Sequence, residues 1–249
     1  MHHEFSILFH PVNALLVAIF GPPSRAWQHG MGLDELPGAW LPDHVINAVL
    51  VVLLVALLLV LARRKYSVER PTGFQQILEL LLSSLRTMSE DVIGHGHGRD
   101  FVPIIAGLAF FIFLSNIFGL VFFLQPPTAN PSTTFALSIT AFLFYNLVGI
   151  FRLGPIKYAK HFVGPVWWLF PLMIPLEIIS HLARVLSLAL RLFGNIFGEH
   201  TATGIFVGLA PFLVPWPMFG LGVLGALIQT FIFIMLTSVY ISGAVAEEH

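Results

Sequence analysis

Residues 185–198 read VLSLALRLFGNIFG, and Arg191 at the centre of that run decides how the chain is read. The run lies inside an apolar stretch of helical character from Pro171 to about Ala210, too long for a single upright membrane crossing. A charged side chain at bilayer depth costs several kcal/mol. Arginine cannot shed that cost by losing its proton, because its pKa stays above about 12. A permanent positive charge held in such a place points to an ion pathway.

Composition agrees. Hydrophobic residues make up 57% of the 249 and charged residues 10%, with a mean hydropathy of +0.86. Soluble domains carry roughly 25% charged residues, so this is an integral membrane protein. The net charge of −1 gives no reason to expect a nucleic-acid partner. With no cysteine there is no disulfide framework, no thiolate nucleophile and no Cys-based metal site. No cofactor is implied. The start lacks the basic region of a signal peptide, and Ala14–Phe20 is too short to span.

Spans follow from length. Val45–Ala62 is closed by Arg63, Arg64 and Lys65; Val102–Leu124 and Thr133–Phe151 follow. Residues 171–210 and 218–245 form a long tilted hairpin broken at Pro211–Pro217. Between the first two spans, Ile77, Leu78, Leu81, Leu82, Leu85 and Met88 recur at helical spacing, which predicts an amphipathic surface helix over 74–92. The sequence from Gly94 to Gly98 reads as a flexible turn. The expected fold is therefore all-α: a polytopic membrane protein with about five transmembrane helices, one interfacial helix and a tilted C-terminal hairpin. Residues 42–249 form one membrane domain. Residues 1–41 form an outer-side segment, an ordered cap or a loop.

Orientation follows the basic residues. Arg63, Arg64, Lys65, Arg70, Arg86 and Arg99 lie between spans one and two, and Arg152, Lys157 and Lys160 between span three and the hairpin. The connections at Gln125–Ser132 and Pro211–Pro217 have none. Five crossings then put the N-terminus outside and the C-terminus in the cytoplasm.

At spacings of three and four, Glu177, His181, Arg184, Leu188, Arg191, Asn195 and Glu199 fall on one stripe of the first hairpin helix. The stripe is about 33 Å long, close to the hydrocarbon thickness, and His200 and Thr203 extend it. Each member has a plainer reading. Glu177 and Arg184 could neutralise one another through a neighbour, His181 could be a hydrogen-bonded packing residue, and Asn195 could join helices. Arg191 resists such a reading, since no carboxylate sits one turn away. On the second hairpin helix, Gln229 falls level with Arg191 and Asn195, and Arg191 is a reasonable partner for its amide.

Leu190-Arg191-Leu192-Phe193-Gly194-Asn195, then Gln229-Thr230-Phe231-Ile232-Phe233 and the Glu247-Glu248-His249 end, resemble subunit a of the bacterial F-type ATP synthase, from about Asp43 to His249. The resemblance implies a non-catalytic stator subunit in the bacterial inner membrane. It would work against a ring of c subunits, beside the subunit b peripheral stalk, within the rest of the synthase and the lipid bilayer. Two offset half-channels would feed the ring carboxylates, with Arg191 as the essential arginine and Asn195 and Gln229 beside it. His200 matches the outer half-channel; Glu177, Ser180, Arg184 and Ser187 match positions linked to the inner one. Many relatives carry glutamate where this chain has His200, and histidine where it has Gly222. Glu199 next to His200 keeps glutamate–histidine chemistry in one place. Glu199, His200 and His181 complete the expected proton path.

The alternative reading is a secondary transporter, which would need a midplane ion-binding carboxylate and usually an internal repeat. Glu177 and Glu199 lie near the ends of the stripe, and the two halves do not resemble each other. A membrane enzyme would need haem-ligating histidines on facing helices or a hydrolytic motif, and neither is present in the sequence.

Overall fold

The structure is a computed structural model that describes residues 7–33, 39–64, 66–67, 71–94, 98–120, 125–155, 158, 170–209 and 215–245. Its elements are α1 (Phe9–Phe20), α2 (Arg25–Gly30), α3 (Asp43–Arg64), α4 (Gly73–Ile93), α5 (Gly98–Phe118), a 3-10 turn (Pro127–Ala129), α6 (Pro131–Leu153), α7 (Phe170–Leu209) and α8 (Pro215–Val245). Five of these, α3 and α5 to α8, are long and apolar enough to cross a membrane. The expected polytopic all-α architecture is present, and the described residues contain no strand.

Local chemistry sets the ends. Thr72 caps α4 by accepting from the Gln75 amide, and Asn130 caps α6 by accepting from Ser132. Gly94 and Gly154 end these two helices at φ +114° and +81°, a left-handed backbone that a side chain disfavours. The predicted second span differs at both ends: α5 starts at Gly98 and stops at Phe118, with 121–124 outside the described residues. The predicted break before α8 is also shorter than Pro211–Pro217. The helix starts at Pro215 with Pro217 in its first turn, where an amide has no helical partner to lose. The turn at 95–97 and the acidic end at 246–249 lie outside the described residues.

Two core clusters hold the bundle. Leu188 and Leu192 of α7 pack on Ile112 of α5, Ala141 of α6 and Phe233 of α8. Nearer the α4 end, Phe101 and Ile105, Tyr145, and Ile234, Ile241 and Ala244 form the second, with Leu85 and Met88 of α4 against it. Lipid is as apolar as leucine, so close packing rather than water exclusion holds these helices together. The α4 surface helix splits its apolar residues accordingly: Leu85 and Met88 face the bundle, whereas Phe74, Ile77, Leu80 and Leu81 remain exposed.

The 3-10 turn ties the opposite end. Asn47 of α3 donates to the Gln125 carbonyl at 3.1 Å, and Asn130 meets His44 at 3.2 Å. The turn also contacts α7. The N-terminal segment carries α1 and α2 among its described residues. Asn13 of α1 donates to the Leu41 carbonyl and accepts from the amides of Trp40 and Leu41, while Phe9 packs on Ile46 of α3.

Candidate functional site

The buried face of α7 fixes where its polar residues point. Leu188, Leu192 and Ile196 recur every four residues and are 3%, 0% and 1% exposed. That rotation leaves Arg191 and Asn195 on the exposed side near the middle of the 40-residue helix. Arg191 Nη2 donates to Ser187 Oγ, one turn away, at 3.3 Å. Among the described residues it has no carboxylate partner. A cation so placed on a spanning helix presents its charge outward, to whatever packs there.

Glu199 and His200 diverge, though adjacent. Glu199 is half-buried and turns toward α8, where Gly222 and Gly225 leave a groove. A Cβ built on Gly222 would collide with Glu199 Oε1, and one on Gly225 would stand 3.8 Å from Glu199 Oε2 and 3.7 Å from Asn195 Nδ2. The carboxylate and the amide therefore lie along one glycine groove. His200 turns toward the end of α5, its Nε2 standing 2.8 Å from where a Gly119 Cβ would be.

Below this groove lies a layer of polar atoms. Ser115 Oγ and Asn116 Nδ2 of α5, Ser138 Oγ of α6 and Gln229 Nε2 of α8 are buried without a hydrogen-bond partner among the described residues. Ser115, Ser138 and Gln229 lie three or four residues from Ile112, Ala141 and Phe233, which share one cluster, and all on its 3-10-turn side. They thus occupy one depth, about a helical turn beyond the core. Asn116 keeps one bond there, accepting from Thr128 at 2.8 Å. Buried polar atoms are ordinarily satisfied by protein or by water.

The α4 end carries a second polar group. The His181 ring is buried between Tyr145, whose hydroxyl is 2.8 Å from Nδ1, and Glu177, whose Oε1 is 3.2 Å from Nε2. A carboxylate only accepts, so in the neutral ring Nε2 carries the proton and Nδ1 accepts from the Tyr145 hydroxyl. The Arg184 guanidinium stacks 5.3 Å from the Tyr240 ring centre. The Tyr158 hydroxyl donates to Asn146 at 2.6 Å. Ser180 is half-buried on the same helix turn as Glu177, and Ser187 is exposed.

Residues 45–242 match the family model for the ATP synthase A chain. The chain belongs to the ATP synthase A-chain family. It is 46% identical over 220 residues to "ATP synthase subunit a 1" of Syntrophotalea carbinolica, covering 88% of this chain and 93% of that protein. It is 45% identical to the subunit a of Trichlorobacter lovleyi over 83% of this chain and 90% of the relative. For Geobacter sulfurreducens subunit a the figures are 43%, 88% and 90%.

For this member of the A-chain family, the expected stripe divides into two groups. Glu199 and Asn195 both line the glycine groove, Arg191 meets Ser187, and Glu177 meets His181. One expected pairing does not form. Gln229 is 4% exposed and makes no hydrogen bond to Arg191, because it points into the bundle while Arg191 points out. Glu177 pairs with His181, and Arg184 lies over the Tyr240 ring. Sequence reading passed over Ser115, Asn116, Ser138 and Tyr145. The signal was available: each is a polar residue on the buried face of a span, in register with apolar residues three or four positions away.

Proposed function

We propose that this chain is the stationary proton-channel subunit of an F-type ATP synthase, working against a ring of c subunits whose membrane carboxylates pass Arg191. The exposed position of Arg191, mid-helix and without a carboxylate partner among the described residues, carries this reading. A ring carboxylate facing lipid must be protonated, since a bare charge there is too costly. Opposite Arg191 its pKa falls and the proton leaves. The same guanidinium repels a proton passing directly between the two polar groups, so flow must go round with the ring. Each charge crossing gains about 2.3 kcal/mol per 100 mV.

The outer half-channel runs through Glu199, His200 and Asn195 to the layer of Ser115, Asn116, Ser138 and Gln229. The unsatisfied buried atoms of that layer support it as a place for water. The inner half-channel runs past Ser187, Arg184, His181, Ser180 and Glu177. The charge asymmetry of the connections supports an outside N-terminus, a cytoplasmic C-terminus and a bacterial inner membrane. The subunit makes no ATP itself, and stands beside the subunit b peripheral stalk.

ATP-driven acidification of inverted vesicles tests the reading, comparing wild type with Arg191→Ala at matched assembly. Pumping should be abolished. Retained pumping in an assembled complex would remove Arg191 from the stator role.

A further inference from the structure

Helix α1 contains no Asp, Glu, Lys or Arg, yet leaves Leu15, Ile19 and Phe20 exposed at 60%, 62% and 68%. At 1.5 Å per residue its 12 residues reach about 18 Å, well short of a hydrocarbon core of about 30 Å. It cannot span, and an uncharged helix with that face is poorly suited to water. Its position is fixed from both ends. Asn13 grips the backbone of Trp40 and Leu41 through three hydrogen bonds, and Trp40 Nε1 donates to the Gly21 carbonyl just past the helix. Those anchors lie two to three residues before α3 enters its span at Asp43. The helix is thereby held at the membrane boundary. Beside it the Trp27 and Trp40 rings stand 6.0 Å apart, tilted at 54°, with the Trp27 N–H satisfied by the Trp40 carbonyl, an amphipathic aromatic pair of the kind found at that depth.

We propose that α1 and the Trp27–Trp40 pair form a monotopic anchor, seated in the acyl-chain boundary of the leaflet where α3 begins. Its occupant is lipid. Helix α1 contacts α3, where Val49, Val52 and Leu53 are also exposed. The module precedes the matched family region, which starts at residue 45. Its mechanical value follows from α3, whose His44 and Asn47 hold the 3-10 turn that contacts α7. An anchored α1 restrains the end of α3 and, through it, the covering of the Glu199–His200 region.

The absence of native cysteine makes the test direct. Leu15→Cys, Ala18→Cys and Ile19→Cys, each nitroxide-labelled, would be compared in the whole complex reconstituted in phosphatidylcholine–phosphatidylglycerol vesicles. Other subunits would have their thiols blocked. Power saturation then reads collisions with oxygen, which favours lipid, and with a water-soluble nickel chelate. The expected result is a higher oxygen-to-nickel ratio at all three sites than at Thr72→Cys in the exposed turn before α4. A ratio equal to that at Thr72 would place α1 in water and overturn the anchor. Protection from both reagents would overturn it too, by assigning the face to a protein partner. Neither result would bear on the role of Arg191.

Discussion

The Glu199 carboxylate occupies the space that a side chain at residue 222 would need: a Cβ on Gly222 would collide with Glu199 Oε1 and with Leu120 Cδ2. Glycine at 222 and glutamate at 199 are thus one arrangement split between two helices. Gly222→Ala should destabilise the subunit by about 1–3 kcal/mol through overpacking. In a Glu199→Ala background the same change should cost less, since one of the two colliding atoms is gone. Thermal unfolding of the four proteins of this cycle measures the coupling. Additive shifts would show that the two residues do not share the space.

Ser138 offers a separate handle on the buried polar layer. Its hydroxyl has no hydrogen-bond partner among the described residues. Were the layer dry, Ser138→Ala would be neutral or stabilising by up to about 1–3 kcal/mol, and conduction would be untouched. With water in the layer, passive proton conduction through vesicles stripped of the catalytic head should slow while the unfolding temperature hardly moves. Unchanged conduction would exclude Ser138 from the path.

Tyr145 holds His181 in one tautomer, its hydroxyl 2.8 Å from Nδ1. Tyr145→Phe keeps the ring stacking at 6.0 Å but leaves Nδ1 buried without its donor. A loss of about 1–3 kcal/mol in stability is expected, with a changed pH profile of ATP-driven pumping. Loss of stability without any change in that profile would make His181 a packing residue only.

Tyr158, which follows α6, predicts an alkaline limit. Burial pushes its phenol up to about 12 from 10.0, and the nearby Tyr145 adds to the rise. A raised pKa means that the folded state holds this proton more tightly. The stability it contributes is complete below the unfolded value of about 10 and is lost as pH climbs from about 10 to about 12. Tyr158→Phe should flatten that limb in unfolding temperatures measured across this range, at the cost of the bond to Asn146. An identical alkaline fall in the variant would assign it to other groups.

Hydropathy and length were enough to place the spans, because a bilayer demands about 20 apolar residues per crossing whatever they pack against. The charge of Arg191 was equally plain, since no environment neutralises a guanidinium. Rotation of each helix about its axis was not legible in the same way. Gln229 and Arg191 share a depth, but the packing of Leu192 on Ile112 and Phe233 turns one inward and the other outward. The direction of Glu199 depended on space left by Gly222, more than twenty residues away on another helix. Ser115 and Ser138 gained meaning only when three helices brought them to one depth with Gln229. By itself the sequence determined that the chain crosses a membrane and carries a fixed charge within it, because both are properties of single residues and their runs. The tertiary structure decided which polar groups meet, because contact depends on how neighbouring helices rotate and how closely glycine lets them approach.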